Sequence, residues 1–306
     1  MQEETLLEVR DLSVAFSMYE RGLRKKELEV VHKLSLSVKK GEILAVVGSS
    51  GSGKSILAHG ILGILPENAR VSGEILYKGN QLTKKEQERL RGKEIAFIPQ
   101  SVEYLDPLMK VKKQVIGVNG TEEKQRAAFS RYQLDEKTES MYPFQLSGGM
   151  ARRVLISTAV MSNPQLIVAD EPTPGLNLEM AMETLKNFKE LAQQGCGVLL
   201  ITHDIDLAFQ VADKIAVFYA GTTVEVAPVA DFLAGKDALR HPYSKAFLDA
   251  LPQNGFQPLE GFQPYAENLP NGCLFADRCP VRTDACAGEI TMRKVRGGEV
   301  RCIHAT

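Results

Sequence analysis

No uncharged apolar run in this 306-residue chain approaches the roughly 18 to 20 residues that a membrane-crossing helix needs. Any role at a membrane would have to be exercised through other subunits. Charge of one sign is not in excess either: 37 basic side chains face 38 acidic ones, a formal net charge of -1, so no long-range field draws the protein toward nucleic acid or anionic lipid. The segment Met1 to Arg10 carries acidic residues where a secretory leader would be basic, and no apolar stretch follows it. The expectation is a protein that stays in the cytoplasm. Cysteine is scarce until late in the chain: Cys196 stands alone, and the other four, Cys273, Cys279, Cys286 and Cys302, crowd into the last part. In a cytosolic chain such crowding favours metal or cluster binding over disulfides.

What is present is a succession of short apolar runs bounded by glycines and charges: Ile43 to Val47, Ile95 to Ile98, Leu166 to Ala169, Val198 to Ile201 and Ile215 to Phe218. Runs that are apolar on both faces and separated by helix-compatible stretches predict a mostly parallel core sheet covered on two sides, an α/β fold. Leu7 to Phe16, Leu28 to Val38 and Gly73 to Tyr77 alternate instead, which predicts an antiparallel β side sheet. Thr121 to Ser162 is helical in character and Pro164 marks the return to a buried strand, so a helical subdomain is expected over about 100–162. Beyond about Asp231 the pattern fades. Leu251 to Gly272, rich in Pro, Gly, Gln and aromatics, repeats Gly-Phe-Gln-Pro at Gly255 and Gly261 and predicts a linker or irregular surface wrap. Residues 1–235 are taken as the main domain and 236–306 as a C-terminal extension.

Gly48-Ser49-Ser50-Gly51-Ser52-Gly53-Lys54-Ser55 lies between an apolar strand and a helix-compatible run, the context a phosphate-binding loop needs. Its glycines let successive backbone N–H groups curl toward phosphate oxygens, Lys54 adds a positive charge, and Ser55 can place its hydroxyl on Mg²⁺. Leu166 to Ala169 is followed by Asp170 and Glu171, two carboxylates at the carboxyl end of a buried strand. Asp170 is suited to the Mg²⁺ shell and Glu171 to orienting the water that attacks the γ-phosphate. Read alone, such a pair is more often a helix cap.

Leu146-Ser147-Gly148-Gly149-Met150 precedes the helix-compatible run Val154 to Met161, Gln100 follows one predicted strand and His203 another. In this order with the two phosphate motifs, the set resembles the ABC nucleotide-binding domain. The resemblance implies a P-loop ATPase working as a head-to-tail pair, with ATP held by the phosphate loop of one copy and by Ser147, Gly148 and Gly149 of the other. It further implies that Gln100 contacts Mg²⁺ or the attacking water, that His203 contacts the γ-phosphate, and that an aromatic near the end of the first strand stacks on adenine, with Phe16 preferred and Tyr19 in reserve. Two positions depart from the family pattern. Asn177, in Pro174-Gly175-Leu176-Asn177, stands where an aspartate is common, and Arg152 stands where many relatives have glutamine.

His241-Pro242-Tyr243-Ser244-Lys245 and the tail Gly272 to Pro280 are similar to segments of oligopeptide, dipeptide and nickel importer ATPases. This narrower likeness implies a subunit at the cytoplasmic face of the membrane that energises uptake of peptides or nickel. Its partners would be a second ATPase chain (a heterodimer expected, a homodimer compatible), two integral membrane permeases and, indirectly, an extracytoplasmic binding protein, with no nucleic acid. The alternative is a soluble ABC ATPase acting on DNA or ribosomes; the coiled-coil insertion or second cassette of such proteins is missing here. Some relatives hold a [4Fe-4S] cluster in this tail, and Cys273, Cys279, Cys286 and Cys302 match that arrangement. Four thiolates also suit zinc, and buried free thiols stay open as well.

Overall fold

The computed structural model of the chain describes residues 4–19, 24–117 and 120–306; the start of the acidic segment, residues 1–3, and two residues of the helical subdomain, 118–119, lie outside it. Alternation at the start of the chain yields two long strands, β1 (Thr5–Tyr19) and β2 (Lys25–Lys39), paired antiparallel. Then come the fully buried β3 (Ile43–Gly48) and α1 (Lys54–Leu62). β4 (Ala69–Tyr77) pairs with β1 and, through a tight turn, with β5 (Asn80–Gln81). The result is a four-stranded antiparallel sheet in the order β2-β1-β4-β5.

After α2 (Lys84–Leu90) and β6 (Ile95–Ile98) the chain leaves the sheet for α3 (Val111–Ile116), α4 (Glu122–Arg131) and α5 (Gly148–Val160). These helices bury their own small core of Val111, Val115, Phe129, Val154 and Leu155. The chain returns through β7 (Leu166–Asp170), α6 (Leu178–Gln193), β8 (Gly197–Ile201), α7 (Ile205–Val211) and β9 (Lys214–Tyr219). β9, β3, β8, β7 and β6 are mutually parallel. Apolar on both faces, they need cover on both: α1 and the antiparallel sheet on one side, through Leu57, Ile61, Leu7 and Leu34, and α6 on the other, through Leu185 and Phe188.

The last quarter of the chain differs from a loosely attached appendage. β10 (Thr222–Pro228) pairs antiparallel with β9. After α8 (Val229–Leu233) and α9 (Pro242–Asp249), the hairpin of β11 (Arg293–Val295) and β12 (Gly298–Val300) joins β10, completing an eight-stranded sheet. A buried carboxylate fixes this junction. Glu225 Oε1 accepts from the Arg240 main-chain N–H and Oε2 from that of His241, each at 2.9 Å, while the Arg240 guanidinium reaches Glu225 at 3.3 Å and Asp231 at 2.7 Å. With these partners made, the charge is tolerated inside the fold. Short strands and polar anchors leave little periodicity, which is why the sequence pattern fades there. The segment 251–272 is irregular as expected, but docked: Leu259 and Leu269 pack against the cluster that holds Tyr219, Tyr243 and Phe275.

His241 caps α9, its Nδ1 accepting from the Tyr243 N–H at 3.0 Å. Burial pushes its pKa down to about 3, so it stays neutral in the folded chain while the unfolded chain protonates it below about pH 6.5. The unfolded state then binds more protons, and stability falls as pH drops from 6.5 toward 3. Between pH 6.5 and pH 5 this residue alone is expected to cost on the order of 2 kcal/mol. In urea unfolding, His241→Asn, which keeps a capping acceptor, should lose less stability over that interval than wild type by this amount. Equal losses would assign the titration elsewhere.

Candidate active site

The turn between β3 and α1 reverses the chain within five residues and needs φ of +75° at Gly51 and +91° at Gly53, conformations glycine reaches without a Cβ clash. A Cβ on Gly53 would stand 3.1 Å from the Val31 side chain of β2, so a larger residue would also press on the antiparallel sheet. This curl and the N-terminus of α1 open on a cleft of about 420 Å³, lined by Ser50 through Ile56 together with Gln100, Glu171 and His203. A helix N-terminus over a glycine-rich turn is an anion-binding arrangement.

Three of the expected residues meet on one carboxylate. Gln100 Nε2 donates to Glu171 Oε2 at 3.0 Å, and His203 Nδ1 lies 3.3 Å from Glu171 Oε1. Glu171 sits just beyond β7 with φ of +47°, a conformation that costs a non-glycine residue about 1–3 kcal/mol and persists where its surroundings impose it. Its N–H donates to Ile201 O at 2.9 Å. The pair Asp170-Glu171 caps no helix: α6 begins seven residues later and is capped by Asn177, whose Oδ1 accepts from the Met180 N–H at 2.9 Å. An aspartate at 177 would cap in the same way, which explains why the amide is accommodated there.

Burial shifts the pKa of three charged groups around the cleft, Lys54, Asp170 and Arg152. Lys54 Nζ donates to Gly48 O and Ser49 O, both at 2.9 Å, and burial lowers its pKa against the pull of Glu171 and Asp170. Asp170 is raised, first by burial, with a hydrogen bond from Ser55 opposing. Its Oδ1 is buried without a hydrogen-bond partner among the described residues. A buried, unpartnered carboxylate oxygen beside a hydroxyl fits a hard divalent cation such as Mg²⁺, which takes oxygen ligands.

Arg152, noted in the sequence only as a departure, has a clear position. Buried in α5, it donates to Pro99 O at 2.7 Å and to Gln100 O. It thus ties the helix that follows Ser147 to the loop that carries Gln100. Burial lowers its pKa, with Glu171 and Asp170 opposing.

Other expected residues stand apart from this cleft. Ser147 caps α5, its Oγ accepting from the Met150 N–H at 3.3 Å; with Gly148 and Gly149 it belongs to the helical subdomain and does not line the cleft. Phe16 lies on β1 opposite Leu28 and Ala69, partly buried against the core of the antiparallel sheet and outside the cleft lining. Tyr19 is exposed, with Lys25 Nζ 5.6 Å above its ring.

The four late cysteines lie near one another. Cys273 N–H donates to Cys286 O at 2.9 Å, Cys286 and Cys302 are buried, and Cys273 and Cys279 pack against the Phe275 cluster. Burial pushes Cys273 up to about 11 and raises Cys279 and Cys302, with neighbouring thiols adding to each shift. Among the described residues, however, no three His, Cys, Asp or Glu side chains are grouped so as to hold a metal ion. The [4Fe-4S] or zinc ligation expected of Cys273, Cys279, Cys286 and Cys302 is not supported by this arrangement, in which Cys273 and Cys279 pack against apolar neighbours.

Comparison with known proteins agrees with the site. Residues 31–174 match the family described as ABC transporter, and residues 224–286 match the oligopeptide/dipeptide transporter C-terminal region. The dipeptide transport ATP-binding protein DppD of Escherichia coli (strain K12) is 37% identical over 306 residues, covering 93% of this chain and 91% of its own length. The oligopeptide transport ATP-binding protein AppD of Bacillus subtilis (strain 168) is 35% identical over 309 residues, covering 92% and 90%. Among solved structures, an ATP-binding subunit of an ABC transporter superposes with a TM-score of 0.63 at 26% identity, covering 75% of this chain and 92% of that one. An ATP-binding cassette solved as a dimer with ADP and Pi shares the fold, with a TM-score of 0.63 at 24% identity. No helix among the described residues is long and apolar enough to cross a membrane. With a phosphate loop, paired carboxylates and a helix-capping Leu-Ser-Gly-Gly segment in one chain, and relatives this similar over nearly its whole length, the protein belongs to the ATP-binding, ATP-hydrolysing subunits of ABC transporters, in their oligopeptide/dipeptide branch.

Proposed function

We propose that this subunit drives import of peptides from the cytoplasmic face of the membrane, as one of two ATPase chains that act on two integral membrane permeases served by an extracytoplasmic binding protein. The names of its relatives, dipeptide and oligopeptide transport ATP-binding proteins, support a peptide cargo over nickel. They equally disfavour a role on DNA or ribosomes. Residues 1–235 supply the catalytic cassette and 236–306 the extension typical of this branch.

The observation that carries the mechanism is the convergence of Gln100 and His203 on Glu171 beside the phosphate loop. ATP phosphates lie in the curl from Gly48 to Ser55, held by backbone N–H groups and Lys54. Mg²⁺ would be held by Ser55, Asp170 and Gln100, and supplies charge neutralisation across the phosphate oxygens. Glu171 orients and polarises the water that attacks the γ-phosphate, while His203 and Gln100 fix the carboxylate. Phe16 stacks on adenine. Ser147, Gly148 and Gly149, at the capped N-terminus of the 13-residue α5, offer an anion site to the partner's nucleotide. Their position outside the chain's own cleft favours that reading. Because Arg152 spans from α5 to the Gln100 loop, a nucleotide sealed at Ser147 is felt at the loop whose glutamine touches Glu171.

Glu171→Gln should bind ATP and hold the closed dimer while turnover falls at least about 100-fold, the lower range for a lost general base. Gel filtration with ATP and phosphate release measure the two effects; wild-type turnover would remove Glu171 from this role. Arg152→Ala leaves the Pro99 and Gln100 carbonyls without their donor. It should cost on the order of 2–4 kcal/mol in urea unfolding and slow hydrolysis. Unchanged stability and rate would show that α5 and the Gln100 loop are not tied through this side chain.

A further inference from the structure

The irregular segment that follows α9 does more than cover the surface. Ser49, the second residue of the phosphate loop, stands outside the cleft lining, and its Oγ donates to Gln263 Oε1 at 2.5 Å. Gln263 belongs to the second Gly-Phe-Gln-Pro string, 214 residues away in sequence. A second group of the extension lies close by: the Tyr243 phenol is near enough to Ser49 for the serine side chain to oppose the upward shift that burial gives the phenol. The Tyr243 ring is buried, 4.4 Å from the Tyr219 ring and 5.4 Å from that of Phe275, so its position is set by packing.

Gln263 is likewise delivered by anchored neighbours. On one side, Arg278 donates to Glu260 O at 2.8 Å and Leu259 O at 3.0 Å, its guanidinium held near the Tyr219 ring. On the other side, Glu267 pairs with Lys26 of β2 at 3.3 Å, and Leu269 packs into the apolar cluster. Fixed on both flanks, the strap holds one amide against the back of the phosphate loop. Ser49 also presents its carbonyl to Lys54 Nζ at 2.9 Å. One residue therefore links the extension, through its side chain, to the lysine of the loop, through its backbone.

We infer that Gln263 is a positioning residue for nucleotide binding, acting through Ser49 to hold the first turn of the phosphate loop in its phosphate-accepting curl. The inference rests on the phosphate loop being the ATP site. A preformed loop loses less conformational freedom when phosphate binds, so removal of the tether weakens binding of the nucleotide. The loss falls on affinity, since Gln263 touches no reacting group. By reciprocity, bound nucleotide also strengthens docking of the strap.

The test uses the full chain and a fluorescent ATP analogue with Mg²⁺. Gln263→Met keeps the length of the side chain and removes its hydrogen bond. It should raise the Kd about 3- to 10-fold, the range of one side-chain hydrogen bond, and raise KM for ATP with little change in kcat. Ser49→Ala should act similarly, and the double variant should be no weaker than the weaker single one. Amide exchange over residues 259–267 should slow on analogue binding in wild type and respond less in Gln263→Met. Additive losses, an unchanged Kd, an effect confined to kcat, or exchange indifferent to the analogue would each overturn the inference. Failure of the wild-type chain to bind the analogue would instead strike at the ATP site itself.

Discussion

The active site depends on the register of a parallel sheet. Ile98 of β6 lies opposite Ala169 of β7, Asp170 opposite Ile201 of β8, and Ile201 opposite Val46 of β3. The strands therefore end level, and the residue or two beyond each end, Gln100, Glu171, His203 and the start of the phosphate loop, emerge at one edge. The bond from Glu171 N–H to Ile201 O at 2.9 Å carries the ladder one step past the last paired strand residue. It holds the +47° φ that turns the carboxylate toward Gln100 and His203. A slip of one residue between β7 and β8 would point the carboxylate to the other face of the sheet, so the chemistry is guarded by every buried Val, Leu and Ile that fixes the register.

That edge concentrates charge that the protein alone does not satisfy well. Burial shifts Lys54 and Arg152 down and Asp170 up, each toward its neutral form. Each shift is opposed by neighbours of opposite sign. On the proposed reading, a nucleotide phosphate would set a further anion beside Lys54 and its divalent cation a positive charge beside Asp170. On that reading, ligand binding offsets the unfavourable burial, and the cleft favours a metal-bound polyphosphate over a neutral molecule.

Most of this could be read from the residues. The parallel strands announced themselves as runs apolar on both faces, and Gly48 to Ser55, Asp170-Glu171, Gln100 and His203 carried enough local pattern to be placed at the strand ends. Other features escaped because their signal is not local. Arg152 looked like a family exception, and only the fold shows its guanidinium on the carbonyls of Pro99 and Gln100. β11 and β12 have three residues each, and β10 mixes polar with apolar residues, so no periodicity revealed that they extend the core sheet. The crowding of Cys273, Cys279, Cys286 and Cys302 and their likeness to a relative's cluster suggested a shared centre; the packing of Cys273 and Cys279 against Tyr219 and Tyr243, far away in sequence, shows only in the fold.

A glycine-rich curl has few intrinsic reasons to hold one shape, because the freedom that lets Gly51 and Gly53 reach positive φ also gives them many alternatives when unrestrained. The surroundings restrict this one from several directions. Val31 of β2 closes against Gly53, His32 N–H donates to Gly221 O at 2.8 Å and locks β2 to the turn after β9, and Lys54 bonds the loop from within. The extension supplies the remaining side, and it can do so firmly because it is not a free tail. Glu225, Arg240 and Asp231 bind its first helix to the sheet, and Arg240 Nε donates to Val295 O at 2.7 Å, which joins the terminal hairpin to the same anchor. A loop preorganised in this way by residues from both ends of the chain binds phosphate without first ordering itself, and that is the physical reason for an extension so far along the sequence to be built into the cassette.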